Sequence, residues 1–179
     1  YVGLAELAMK ESPADEKTAR ALLKEALAFP LHENQRRNLS TRLYSLDSTG
    51  PGHLALKAYF WKKTDSMEVR AARVARIMSE APSLGLGYYL MALGVVGQKD
   101  PAESTRLLLL ALKLGLPSDD LRRQAARLLA PNAFRHGNAP AMRQAAAILL
   151  EPGNSQVTKA YGQDWLDRLA WKKEQLKGL

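Results

Sequence analysis

Apolar positions recur at helical spacing along most of this chain, and short runs of turn-forming residues separate them. Ser12-Pro13, Pro30, Ser48-Thr49-Gly50-Pro51-Gly52, Asp65-Ser66, Pro82-Ser83, Asp100-Pro101, Pro117-Ser118, Pro131-Asn132, Gly137-Asn138-Ala139-Pro140 and Pro152-Gly153-Asn154 are the breaks. Proline lacks the amide proton a helix needs and glycine loses most entropy on ordering, so such clusters mark boundaries. The segments between them run for about 10 to 20 residues, the length of helices in a compact all-α protein, and about ten helices are predicted. They are rich in Ala, Leu, Arg, Lys and Glu, which lose little side-chain freedom in a helix. β-branched residues do not cluster, and no stretch alternates apolar with polar for long enough to make a strand. The fold is expected to be all-α.

The same periodicity predicts which faces are buried. Between Met67 and Ala81, the residues Met67, Ala71, Val74 and Met78 share one side of the wheel, with Arg70, Arg73 and Arg76 on the other. In the last segment Tyr161, Trp165, Leu169 and Leu176 form a stripe, away from Asp167, Lys173 and Lys177, while Trp171 falls outside it. Tyr88 to Val96 and Leu107 to Leu116 are apolar around most of their circumference and are expected to be covered on several sides. Asp15 and Glu16 after Pro13, Glu103 after Asp100-Pro101, and Asp119-Asp120 after Pro117-Ser118 read as helix starts. There short polar side chains take free amides and carboxylates meet the positive end of the dipole.

With 179 residues, 46% hydrophobic and 25% charged, the chain has enough apolar mass for one folded domain or a short repeat array. Cysteine is absent, which closes the options of disulfides, thiolate metal sites and a cysteine nucleophile. No apolar run reaches the roughly 18 to 20 residues of a membrane span, and no basic-then-apolar leader follows Tyr1. A soluble chain is expected, either a processed product or a cloned fragment.

Catalytic constellations are missing from the pattern. His32, His53 and His136 all sit at breaks, and none pairs with another ligand at metal-binding spacing. Gly85 and Gly87 precede a helix but lack the third Gly, or the Lys-Ser/Thr, of a phosphate-cradling loop. The serines form no Gly-x-Ser-x-Gly elbow, and capping accounts for Asp119-Asp120. Neither catalysis nor a metal or cofactor is expected.

Charge opens a different possibility. Lys and Arg number 26 against 18 Asp and Glu, a formal charge of +8. Arginines recur in sets: Arg36, Arg37 and Arg42; Arg70, Arg73 and Arg76; Arg122, Arg123 and Arg127. Aligned on one surface they would hold a polyanion, either nucleic acid or an acidic polysaccharide, and Tyr59-Phe60-Trp61 could supply stacking rings. Left apart, they are solvated helix faces, which is the favoured reading. Arg36, Arg37, Arg70, Arg73, Arg76, Arg122, Arg123 and Trp171 are the candidate partner contacts.

The sequence also carries traces of duplication. Tyr1, Pro13 and Ala14 match Tyr89, Pro101 and Ala102 at an offset of 88, Arg36-Arg37 match Arg122-Arg123 at 86, and Arg42-Leu43 match Arg127-Leu128 at 85. Residues 1–179 read as a single domain that divides into two weakly similar halves, 1–82 and 83–179. About five helices per half would place matching helices on opposite layers of a two-layer stack. Either one segment is not a helix, or the halves are not strict repeats.

Gly87-Tyr88-Tyr89-Leu90-Met91-Ala92-Leu93-Gly94, then Lys99-Asp100-Pro101-Ala102-Glu103, then Leu107 to Gly115, resembles a Sel-like repeat of the tetratricopeptide superfamily. That family has an aromatic or Leu followed by Leu-Gly on its first helix, Asp-Pro-x-x-Ala at the turn, and Ala-x-x-x-Gly closing the second helix. Val2 to Ala26 is similar in outline, with Phe29-Pro30 where the closing Gly would stand. The resemblance implies an α-solenoid of irregular helical hairpins that acts as a non-catalytic scaffold. It further implies a protein or peptide partner, in bacteria often within cell-envelope or polysaccharide-export assemblies. Absence of Cys fits the periplasm and is also common in the bacterial cytosol.

Overall fold

The computed structural model describes residues 1–10, 15–62, 66–96 and 99–177, and of 95–96 and 175–177 the backbone only. These residues form ten α-helices and no strand: α1 (Val2–Ala8), α2 (Glu16–Leu27), α3 (Glu33–Asp47), α4 (His53–Trp61), α5 (Met67–Glu80), α6 (Gly85–Met91), α7 (Pro101–Leu114), α8 (Asp119–Arg135), α9 (Ala139–Leu149) and α10 (Gln156–Lys177). A single wider turn, Ala92–Val96, prolongs α6. Short polar side chains start α2, α7 and α8 where the sequence predicts, and α9 begins in the same way. Asp15 accepts from the Thr18 amide at 2.9 Å, Asp100 from Glu103 at 2.9 Å, Ser118 from Leu121 at 3.3 Å and Asn138 from Ala141 at 3.1 Å. The breaks at Ser12-Pro13 and at Asp65 lie outside the described residues.

Two compact units result, Tyr1–Ser83 and Leu84–Leu179. Inside each one, every helix lies against the next in sequence, because a helix with a single apolar stripe must cover it on a neighbour. In the first unit Ala5, Ala8, Ala19, Leu23, Ala26, Leu39 and Leu46 form the core. Trp61 packs against it from the end of α4, and its indole N–H donates to Ser45 Oγ at 2.9 Å. Arg42 lies 5.3 Å above that ring and bonds Glu6 on α1 at 2.7 Å, so a single side chain spans α1, α3 and α4.

The second unit draws its helices together through small residues. Ala125, Ala126, Ala130 and Ala133 on α8, with Ala141, Ala145 and Ala146 on α9, are all buried. Gly85, at the start of α6, lies so close to the end of α7 that a Cβ there would sit 2.2 Å from the Gly115 carbonyl oxygen and 2.6 Å from that of Ala111. Gly115 itself holds φ +91°, open in practice only to glycine. Of the two broadly apolar segments, Tyr89, Leu90, Ala92, Leu107, Leu108 and Ala111 are buried, whereas Leu93 and Leu114 are exposed, so each segment keeps one side in solvent.

Three sequence expectations are corrected. Pro131 does not break the chain, for α8 runs through it. The missing amide leaves the Arg127 carbonyl without its helical donor, and the Tyr161 hydroxyl approaches that oxygen at 3.5 Å. One residue on, the buried Asn132 amide donates to Ser104 Oγ on α7 at 2.9 Å, which fixes this turn in place. Met67 is exposed; the buried stripe of α5 is centred on Val74 and Ile77, because the first turn of α5 extends beyond its neighbour's cover. On α10 the covered side carries Thr158 and Gly162 with the half-buried Trp165 and Leu169, which turns Tyr161 to the rim. The side chains of Leu176 and Lys177 lie outside the described residues.

Candidate interaction surface

The arginine sets are mostly committed within their own units. Arg73 donates to the carbonyls of Ala58 at 3.2 Å and Lys62 at 2.9 Å, closing the end of α4 where free carbonyls concentrate negative potential. Arg76 bonds Glu80 one turn on at 2.5 Å, and Arg37 bonds Asn34 at 3.0 Å. Arg122 forks onto both oxygens of Glu151, one of them at 2.6 Å. Arg123 contacts Asp120 and reaches Asn154 at 3.4 Å. Arg122 and Arg123 are thus brought together on the loop between α9 and α10, and Arg127 continues the row by donating to Thr158 at 2.8 Å. Arg36 and Arg70 are exposed, and Trp171 stands 62% exposed on α10. Burial raises the pKa of the Tyr59 phenol, and Arg70 opposes that shift through its charge.

Hydrogen bonding by Arg122 holds the Glu151 carboxyl below the usual glutamate range, with smaller help from the charges of Arg122 and Arg123. The folded value is thus lower than the unfolded one. The stabilisation is complete above about pH 4.3, the unfolded value, and is lost as pH falls through the folded value. Since both partners are well exposed, the contribution is modest. Arg122→Gln is expected to move the Glu151 titration midpoint, followed by carboxyl NMR, up toward the ordinary value. Coincident midpoints in the two proteins would show that the fork does not form in solution.

The histidines sit at helix ends and bond local backbone or side-chain groups. His32 donates its backbone amide to Gln35 at 3.2 Å, His53 Nδ1 donates to the Gly50 carbonyl at 2.7 Å, and His136 Nδ1 to that of Asn132 at 2.8 Å. Among the described residues no three of His, Asp or Glu gather closely enough to hold a metal ion, and no helix is long and apolar enough to cross a membrane.

The residue pattern missed an exposed apolar set on the first unit and a half-buried row of rings on the second. On the first unit Leu4 and Leu7 of α1 are exposed, as are Tyr1 and Phe29, whose rings lie 5.5 Å apart. On the second, a row of rings and cations runs between α8 and α10. Phe134 lies 5.6 Å from Trp165 and Tyr161 lies 6.2 Å from it, with Arg168 over Trp165 at 5.2 Å and Lys172 over Phe134 at 4.8 Å. The signal for the first patch was present in the three-residue spacing of Leu4 and Leu7. The second needed two helices to meet. No family model, curated protein or solved structure matches this chain.

Proposed function

We propose that this chain is a non-catalytic scaffold, a stack of irregular helical hairpins of the tetratricopeptide and Sel-like kind, that binds a segment of another protein. The observation that carries this reading is a contrast. Arg73, Arg76, Arg122 and Arg123 are held by partners inside the chain, while Leu4, Leu7, Phe29, Val157 and Trp171 are left in solvent. Cations already in hydrogen bonds gain less from a phosphate or uronate, whereas exposed apolar side chains gain by being covered. Neighbour-on-neighbour packing of the helices supports a stack. The Sel-like resemblance adds a bacterial envelope assembly as the setting.

A second reading, binding of an acidic polymer, is favoured by the second unit's 13 Lys and Arg against 8 Asp and Glu. Salt separates the two. Affinity co-purification from the source cell is expected to retain a protein that stays bound as ionic strength rises and is released when Leu4 and Leu7 are both changed to Ser. Retention instead of nucleic acid or acidic polysaccharide, lost steeply with added salt, would replace the first reading by the second.

A further inference from the structure

We infer that this chain is a tandem duplicate of one five-helix unit, and that the two copies open as separate cooperative units, the first before the second. The helices of Tyr1–Ser83 hold 7, 12, 15, 9 and 14 residues in order, and those of Leu84–Leu179 hold 7, 14, 17, 11 and 22. Helix starts correspond at offsets of 83, 85, 86, 86 and 89 residues, from Val2 with Gly85 to Met67 with Gln156. Core positions keep the same register. Ala19, Leu23 and Ala26 on α2 correspond to Ser104, Leu108 and Ala111 on α7 at an offset of 85, and all six are buried. Ala55 and Leu56 on α4 correspond to Ala141 and Met142 on α9 at 86, again all buried. The caps recur too: Asp15 and Asp100 each accept from the amide three residues on at 2.9 Å, as do Ser66 at 3.3 Å and Ser155 at 3.2 Å. Between Asp15–Leu31 and Asp100–Leu116, six of 17 residues are identical without a gap.

Helical period fixes spacing inside one helix, but it does not set loop lengths and buried register over successive helices together. Five is an odd number, so what recurs is the whole unit and not a two-helix hairpin. Two copies that each bury their own core are expected to unfold apart. The order follows from what each core holds. Among the described residues the large, fully buried apolar side chains of the first unit are Leu23, Leu56 and Ile77, against Leu86, Leu107, Leu108, Leu129, Met142 and Leu149 in the second. Buried apolar area is the main stabilising term, so the second unit holds the larger share of it. The first unit ties its helices partly through ion pairs open to solvent, Arg20 with Asp47 at 2.5 Å and Lys57 with Glu16 at 2.8 Å, and such pairs contribute little.

Hydrogen exchange of the full chain in rising urea, read by mass spectrometry, is expected to show residues 1–83 losing protection at lower urea than residues 84–179. Leu23→Ala should lower protection about tenfold or more in the first unit alone, and its counterpart Leu108→Ala should do so in the second unit alone. A transplant tests the duplication itself. Residues 100–116 set in place of 15–31 should leave α3 and α4 protected. Residues 102–118 in the same place should not, because they bring Arg106 and Lys113 to the buried positions of Ala19 and Ala26. Loss of protection in both units together, whether from urea or from either alanine variant, overturns the separate opening, and so does a second unit that opens first. An in-register transplant that protects α3 and α4 no better than the displaced one overturns the duplication. Neither result depends on a partner.

Discussion

Gly85→Ala is expected to destabilise the Leu84–Leu179 unit by about 3 kcal/mol or more, lowering its melting temperature by roughly 10 to 20 °C. Two effects oppose each other. Alanine is the better helix former by about 1 kcal/mol, and in an exposed helix it would stabilise. Here the added carbon would stand 2.2 Å from one backbone oxygen and 2.6 Å from another, and neither belongs to a side chain that could swing aside. The start of α6 must then back away from the end of α7, which opens the contact around Leu86, Leu107 and Leu108, all buried. Repacking therefore outweighs propensity. Gly153→Ala is the control, since nothing lies within 4 Å of the new carbon and the backbone there is ordinary, and it should change stability by no more than about 0.5 kcal/mol. Equal melting temperatures for Gly85→Ala and the parent would refute the close approach of α6 to α7.

Trp61→Ala should cost the Tyr1–Ser83 unit about 3 kcal/mol, measured by urea unfolding. The indole covers the α1–α3 core, donates to the fully buried Ser45 hydroxyl and carries the Arg42 guanidinium on its face. Its removal empties a packed site and also frees Arg42, whose bond to Glu6 holds α1. Trp61→Phe keeps most of the packing and loses only the donor, for about 1 kcal/mol. If Tyr59-Phe60-Trp61 instead formed a stacking platform for single-stranded nucleic acid, Trp61→Ala would abolish oligonucleotide binding and leave the unfolding midpoint in place. The two outcomes are opposite, and one variant decides between them.

Legibility followed the range of each interaction. The start of α7 could be read from Asp100-Pro101-x-Glu103, because a capping side chain bonds an amide three residues away. The run of α8 through Pro131 could not be read, since what steadies it comes from elsewhere: Ser104 beneath Asn132 and Tyr161 over the Arg127 carbonyl. Gly85 and Gly87 resemble part of a phosphate loop in the sequence, yet the neighbours of Gly85 are Ala111 and Gly115, a whole helix downstream. The candidate arginines stand out in the sequence by their grouping on single helices. Whether each stays free depends on acids and carbonyls in other segments, as with Glu151 for Arg122 and the end of α4 for Arg73.

Composition, periodicity and turn chemistry alone determined that the chain is all-helical, where most helices begin, and that α6 and α7 each bury a broad apolar face. All of these depend on contacts within about one turn of a helix or on the total of apolar surface. Tertiary structure decided which arginines are held by partners, which apolar side chains stay in water, and that α10 leaves Val157 and Trp171 exposed while Tyr161 leans onto α8. Those depend on which distant segments come to share a surface, and residue spacing within a helix does not encode that.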